Sequence, residues 1–231
     1  LKYVRQVCKM HKVELYLGRG NRVVYPDCLE TKKKDGDREA RTMGSGYWME
    51  PGEGEAAKLG VATARSRWLW LGTLAHELCH LMQWLECEPT YCSTLPGGKD
   101  PNALVDDWLQ GKEFNKRIVK QAIQSVVDVE LDNERRAVRL IKKFKLPVDL
   151  KKYIQAANSY LFFHEVVMEN RTWYNKLMFN PEIINHMPDH FLPEDSYKVG
   201  KMPREFVTYL EDHVINSKGW SWKNRRKIAA K

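Results

Sequence analysis

The chain lacks any long hydrophobic run. Its longest apolar stretches, at residues 68–71 and 160–163, are a few residues long, whereas a helix that spans a bilayer needs about 20. No apolar block follows the basic residues of segment 1–12, although a secretory signal requires one. We therefore expect no transmembrane helix, no export and no membrane partner.

The sequence also lacks a disulfide framework. Its five cysteines are an odd number, without a CxxC pair or a regular spacing, which argues against a small secreted scaffold. Hydrophobic residues make up 43% of the chain and aromatic residues 11%, so a disordered chain is excluded. These features predict a folded protein in a reducing compartment, most simply the cytoplasm.

Acidic residues are fewer than basic ones, and the formal net charge is +8. The basic excess lies toward both ends of the chain and is densest in residues 222–231, which contain no acid. The cations of this tail are Lys223, Arg225, Arg226, Lys227 and Lys231. Such a tail indicates either weak contact with nucleic acid or another anionic surface, or a solvated terminus without a partner.

Hydrophobic periodicity predicts an α+β fold that is mostly helical, with a small N-terminal β-sheet. The expected strands are residues 13–17, 22–25 and 58–64, of which the first two form a hairpin or a strand-loop-strand unit. The expected long helices are residues 66–86, 113–144, 150–174 and 204–215. Composition divides the chain into a main domain, 1–178, and an extension, 179–231, with a Pro-rich segment, a short helix and the basic tail.

The first long helix contains an HExxH motif formed by His76, Glu77 and His80. Residues four apart lie on the same face of a helix, so both imidazoles can bind one metal ion. Glu77 is turned by about 100° from His76 and can reach a water molecule on that ion. Zinc suits imidazole ligands. The alternative is a pair of core histidines without a metal.

Two histidines leave a tetrahedral zinc site one protein ligand short, with water in the remaining position. The second long helix offers Glu130 and Glu134, which share a helix face at positions i and i+4. In one interpretation, one carboxylate binds the metal and the other fixes a histidine through its second ring nitrogen. In the other interpretation, both carboxylates face solvent.

An HExxH motif followed on a later helix by ExxxE resembles the gluzincin branch of the zincin metallopeptidases, in which a downstream ExxxD supplies a glutamate ligand and a supporting acid. The resemblance implies that Glu130 is the third zinc ligand and that Glu134 takes the position usually held by Asp. Exchanged roles of the two glutamates remain an alternative. The sequence is also similar to minimal zincins of bacteria and phages, which implies a host cytoplasm if the chain is phage-encoded. Residues 130–174 resemble uncharacterised phage and prokaryotic proteins.

The same resemblance implies hydrolysis of peptide bonds in a protein or peptide substrate. Glu77 is then the general base toward a water molecule activated by the metal. Tyr160 and His164, four residues apart on the third long helix, are candidate donors to the developing oxyanion, or else they pack against the HExxH helix. The strand at 58–64 is the expected edge strand that pairs with an extended substrate.

Two other functions stay open at this point. A non-catalytic structural or binding protein would close its zinc site with four protein ligands, including Cys79, Cys87 or Cys92. A nucleic-acid-associated protease similar to the SprT-like family would dock through residues 32–34 and the basic tail. That family normally takes a third histidine, so the acidic pair argues against it and the basic periphery argues for it.

Overall fold

The computed structural model describes residues 1–24, 43–173 and 179–216 of the chain. The fold belongs to the predicted α+β class and is dominated by helices. The strands are β1 (Glu14–Gly18), β2 (Val23–Val24), β3 (Met43–Gly44), β4 (Gly46–Met49) and β5 (Lys58–Ala62). The helices are α1 (Lys2–Met10), α2 (Arg67–Glu86), α3 (Pro101–Leu109), α4 (Lys116–Lys143), α5 (Leu150–Asn170), α6 (Pro181–His186) and α7 (Arg204–Asn216).

The chain divides into two compact units, each with its own hydrophobic core. The first unit contains Leu1–Tyr91 and Asn133–Asp149, and the second contains Cys92–Asp132 and Leu150–Lys231. Helix α4 contributes to both units and is one continuous helix. Among the described residues, none of the helices combines the length and the apolar character that crossing a bilayer demands.

The first unit holds a three-stranded sheet in the order β1-β5-β4, with β1 parallel and β4 antiparallel to β5. Strand β2 pairs with β3, so for residues 13–17 and 22–25 the hairpin alternative is wrong, whereas the strand-loop-strand alternative agrees with β1 and β2. The prediction that residues 58–64 form the edge strand is also wrong, because β5 is the central strand. Its continuous burial from Leu59 to Ala62 is typical of a strand covered on both faces.

The core of the first unit lies between this sheet and helices α1 and α2. Leu74, Leu78 and Leu81 of α2 pack with Leu59 and Val61 of β5, and all five are buried. The predicted helix 66–86 is confirmed to within one residue. Helix α1 was not expected from the sequence, and its buried side chains, Val4, Val7 and Cys8, join the same core.

The second unit is built around α5, whose Phe162 and Phe163 are fully buried. Helices α6 and α7 both pack on α5. The Pro-rich segment is held by Asn158, whose amide donates to the carbonyls of Pro188 and His190. Tyr197 adds a hydrogen bond of 2.6 Å from its hydroxyl to Asn158 Oδ1. Both sides of the predicted domain boundary at residue 178 therefore lie in one unit, and the domain division itself stays a prediction.

Candidate metal centre

Helix α2 presents the HExxH residues on a face away from its leucine ridge. Leu74, Leu78 and Leu81 are buried in the core, whereas His76 and His80 are half-buried. The two imidazole rings lie edge to face, with 4.7 Å between their centroids. The helix therefore brings both rings together without any loop, as the four-residue spacing predicts.

Glu134 of α4 fixes the orientation of the first imidazole. Its Oε1 lies 3.1 Å from Nδ1 of His76, and its side chain is buried. An ionised carboxylate only accepts hydrogen bonds, so the proton of the neutral ring lies on Nδ1. The lone pair of His76 is then on Nε2, the nitrogen that remains available to a metal ion.

Gln83 orients the second imidazole from within α2. Its Oε1 lies 2.9 Å from Nδ1 of His80, and Gln83 itself is fully buried. If the amide oxygen accepts from Nδ1, the lone pair of His80 is also on Nε2. Both histidines are thus held in the tautomer that ligates through Nε2, one by a carboxylate and one by an amide.

Glu130 completes a group of three possible metal ligands. It precedes Glu134 by one turn of the continuous helix α4, on the same face. Ligand atoms of His76, His80 and Glu130 all lie within 4.8 Å of one another. The chain therefore has a group close enough to hold a metal ion. Its members are the three ligands that the resemblance to gluzincins implies, and their role as zinc ligands stays a prediction. Two nitrogens and one carboxylate oxygen, with the second nitrogen of each ring already bonded, fit a zinc ion.

Asn133 is a residue of this centre that the motifs do not reveal. Its amide Nδ2 lies 3.1 Å from Nε2 of His80, to which it can donate, so this contact has to give way when an ion binds that nitrogen. It also lies 3.0 Å from Nδ1 of His76, which carries a proton and does not accept from it. The side chain is fully buried, and its Oδ1 has no hydrogen-bond partner among the described residues. The one signal in the sequence that could have identified Asn133 is its position between Glu130 and Glu134 on α4. A residue at that position lies on the face of the helix that carries the two glutamates.

Glu77 lies against the beginning of strand β4. A Cβ on Gly46 would be 3.0 Å from both Cγ and Oε1 of Glu77, and 2.6 Å from Cγ2 of Thr73. Glycine at this position lets the strand approach α2 closely. In the described part of the sheet, β4 is an edge strand. The carboxylate of the HExxH glutamate therefore lies beside a sheet edge, although it is the edge of β4 and not of β5.

Tyr160 and His164 of α5 are both close to Glu130, but in different settings. The hydroxyl of Tyr160 donates to Oε1 of Glu130 at 3.5 Å, the long end of hydrogen bonding. His164 is buried, its Nδ1 donates to the carbonyl of Tyr160 at 3.0 Å, and its ring packs edge to face on Tyr160 and Trp173. Burial lowers the pKa of His164, and the charge of Glu130 opposes this effect. The placement of His164 favours the packing alternative, and the oxyanion role of either residue stays a prediction.

Among the described residues, no cysteine belongs to the metal-binding group. Cys79 is buried on α2, while Cys87 and Cys92 are exposed. Residues 32–34 and the basic tail, which the nucleic-acid alternative uses, lie outside the described residues. The described part of the chain thus gives no cysteine ligand to a closed structural site.

Comparisons with known proteins identify no family for this chain. A scan against protein-family models, a search of curated proteins and a search of solved structures each gave no match. The resemblance to gluzincins therefore rests on the HExxH and ExxxE residues and stays a prediction.

Proposed function

We propose that the chain is a zinc-dependent metallopeptidase that hydrolyses peptide bonds of protein or peptide substrates in a cytoplasm. The observation that carries the proposal is the convergence of His76, His80 and Glu130 within 4.8 Å. Three protein ligands leave one position of a tetrahedral zinc ion for water or substrate, which is the arrangement of catalytic sites. A bound zinc ion would supply a Lewis acid that polarises the peptide carbonyl and makes water more acidic.

Glu77 is the general base of the proposed reaction. It follows His76 directly on α2 and is not one of the three grouped ligands, so it is left to act on a bound water molecule. It accepts a proton from the attacking water and returns that proton to the amine that leaves. Its position beside Gly46 holds the carboxylate near the sheet edge where a peptide is expected to bind.

Strand β4 is the proposed docking edge for the substrate. An extended peptide can add to an exposed sheet edge through backbone hydrogen bonds. Because β4 begins at Gly46 beside Glu77, a peptide paired with this strand would pass the general base. The hydroxyl of Tyr160 supports Glu130 by donating to its carboxylate.

The proposal is tested by replacing Glu77 in the zinc-loaded full-length chain. Glu77→Gln keeps the size of the side chain and removes the base, so bound zinc should be unchanged while hydrolysis of a mixed peptide library falls by about 10²–10⁴-fold. Glu86→Gln is the matched control, because Glu86 lies on the same helix and pairs with Arg136 at the surface. Equal turnover of Glu77→Gln and wild type, or no hydrolysis by a wild-type chain with one zinc ion, would contradict the proposal.

A further inference from the structure

Two segments of the first unit contain no acidic residue at all, residues 2–13 and 135–148. Six of their exposed cations lie on helices, and we call these six the basic surface: Lys2, Arg5 and Lys9 on α1 together with Arg139, Lys142 and Lys143 on α4. The site of the proposed peptidase uses none of them. This surface is also separate in sequence from the basic tail at residues 222–231.

The cations follow the helix period and form one stripe on each helix. Lys2, Arg5 and Lys9 are spaced by three and four residues on α1, and the three cations of α4 share a similar face. The start of α1 meets the end of α4, because the rings of Tyr3 and Phe144 pack with 4.9 Å between their centroids. The two stripes therefore adjoin at this pair of aromatic rings.

Within the described residues, no acidic side chain pairs with the cations of the basic surface. None of its six cations forms an ion pair with a residue that the structure describes. Exposed cations of the second unit do find partners, for example Lys112 with Asp107 and Lys198 with Asp195. An array of like charges without counter-charges repels itself and attracts a polyanion, and release of counterions favours such binding.

An exposed aromatic ring lies where the two stripes meet. Phe144 is 40% exposed, and Nζ of Lys143 lies 5.7 Å from the centroid of its ring. Proteins that bind single-stranded nucleic acid combine a cationic track for the phosphates with aromatic rings on which bases stack. The combination of Phe144 with the flanking cations provides both kinds of contact.

A membrane is a poorer partner for the same surface. An interfacial helix binds a bilayer by inserting its apolar face, but the apolar face of α1 is already used. Val4, Val7 and Cys8 are buried in the core of the first unit. Besides its cations, α1 exposes only Gln6 and Met10 to solvent, which is too little apolar surface to insert into a bilayer.

We propose that the basic surface binds single-stranded nucleic acid, with its cations on the phosphates and Phe144 stacked on a base. The inference is independent of the peptidase proposal, because it uses neither the histidines nor Glu77. A protein with both properties would act on peptide substrates while held on a nucleic acid.

Fluorescence anisotropy with a labelled 12-nucleotide oligothymidylate, measured on the full-length chain from 50 to 200 mM salt, tests the proposal. The triple variant Arg5→Ser, Lys9→Ser, Lys142→Ser should bind at least tenfold more weakly at 50 mM salt. Its plot of log affinity against log salt should be shallower by about 2, since each phosphate contact contributes roughly 0.7 on single strands. Phe144→Leu should weaken binding about tenfold through lost stacking.

The matched control removes the same charge from paired cations of the second unit, Lys112→Ser, Lys151→Ser and Lys198→Ser. It should change affinity less than threefold. Equal losses in the two triple variants, binding lost only when the tail cations are replaced, or binding to phosphatidylserine vesicles without oligonucleotide binding would each overturn the proposal.

Hydrogen exchange of the wild-type chain gives a second test that needs no variant. The oligonucleotide should protect residues 2–10 and 139–144, and protection confined to other segments would contradict the proposal.

Discussion

Glu134 and Gln83 determine which nitrogen of each histidine faces the centre. Glu134 lies 3.1 Å from Nδ1 of His76, and Gln83 lies 2.9 Å from Nδ1 of His80. A ring held in this way loses less rotational freedom when it binds an ion, so these contacts should raise the affinity of the site for that ion. The side chain of Glu134 thus reaches His76 directly from helix α4.

Replacing the two glutamates separately should distinguish a metal ligand from a supporting acid. Glu130→Ala should lose most of the zinc retained per chain after dialysis, because it removes a direct ligand. Glu134→Ala should lower zinc affinity by about 10–100-fold, the usual effect of removing the partner of a ligating histidine. Elemental analysis and competition with a chelator measure both effects.

Asp128→Ala is the control for these variants, since Asp128 lies on the same helix but accepts a hydrogen bond from Gln124. It should retain one zinc ion per chain. A larger loss in Glu134→Ala than in Glu130→Ala would assign the third ligand to Glu134 and reverse the proposed roles.

Gly46 offers a test of the position of the general base. In Gly46→Ala the new methyl group would meet Thr73 Cγ2 at 2.6 Å and Glu77 Oε1 at 3.0 Å, so Thr73 or the strand has to shift and Glu77 has to give by a few tenths of an ångström. We expect peptide hydrolysis to fall at least tenfold while the zinc content stays unchanged, as measured on the same preparation. Gly52→Ala is the control, because its nearest neighbour would be Glu55 Cβ at 3.8 Å. Wild-type turnover in Gly46→Ala would show that Glu77 is not placed by this contact.

At the scale of elements, α4 carries the two carboxylates whose placement the sequence could predict. Glu130 and Glu134 share a face of one unbroken helix, so helical periodicity alone places both carboxylates on one side. The same reasoning places His76 and His80 on α2. Each of these predictions depends only on residues within one helix, so it can be made without knowledge of the tertiary structure.

Pairing between distant segments was harder to predict. Strand β1 pairs with β5 and not with the nearby β2. In this pair Glu14 lies opposite Lys58, 44 residues later in the chain. Helix α1 is short and mixes its apolar residues with three cations, so its burial becomes evident only from its packing on β5 and α2. The place of Gly46 beside Glu77 and the contacts of Asn133 also depend on tertiary packing, and no motif marks them.

Helix α7 carries a buried carboxyl group whose titration should control the stability of the second unit. Burial, followed by a hydrogen bond with Glu169, raises the pKa of Glu211 to about 8. A raised pKa in the folded state means that the protonated form stabilises the fold. This stabilisation is complete below about pH 4.5 and is lost as the pH rises through about 8.

Glu211→Gln should therefore flatten the fall in stability between pH 5 and pH 9. At pH 9 the variant should be more stable than wild type by about 1 kcal/mol or more, or about 2–4 °C in Tm. Asp212→Asn is the control, because Asp212 is the exposed neighbour on the same helix. Parallel Tm curves for wild type and Glu211→Gln would contradict the assignment.

At the scale of the whole molecule, the two units have different characters. The first unit contains the sheet, the HExxH helix and the basic surface, whereas the second is a helical unit with a core of aromatic and aliphatic side chains. Helix α4 runs through both. The net charge of +8 is therefore not spread evenly, since six cations without an ion pair among the described residues lie on two helices of the first unit.

The central claim is that one divalent ion is held by His76, His80 and Glu130. Anomalous diffraction at the zinc edge, on crystals of the full-length chain with one zinc ion per molecule, tests it most directly. The account predicts one strong peak bonded to Nε2 of both histidines and to a carboxylate oxygen of Glu130, with Glu134 on Nδ1 of His76. A peak located elsewhere, with Glu130 and Glu134 both remote from the ion, would contradict it.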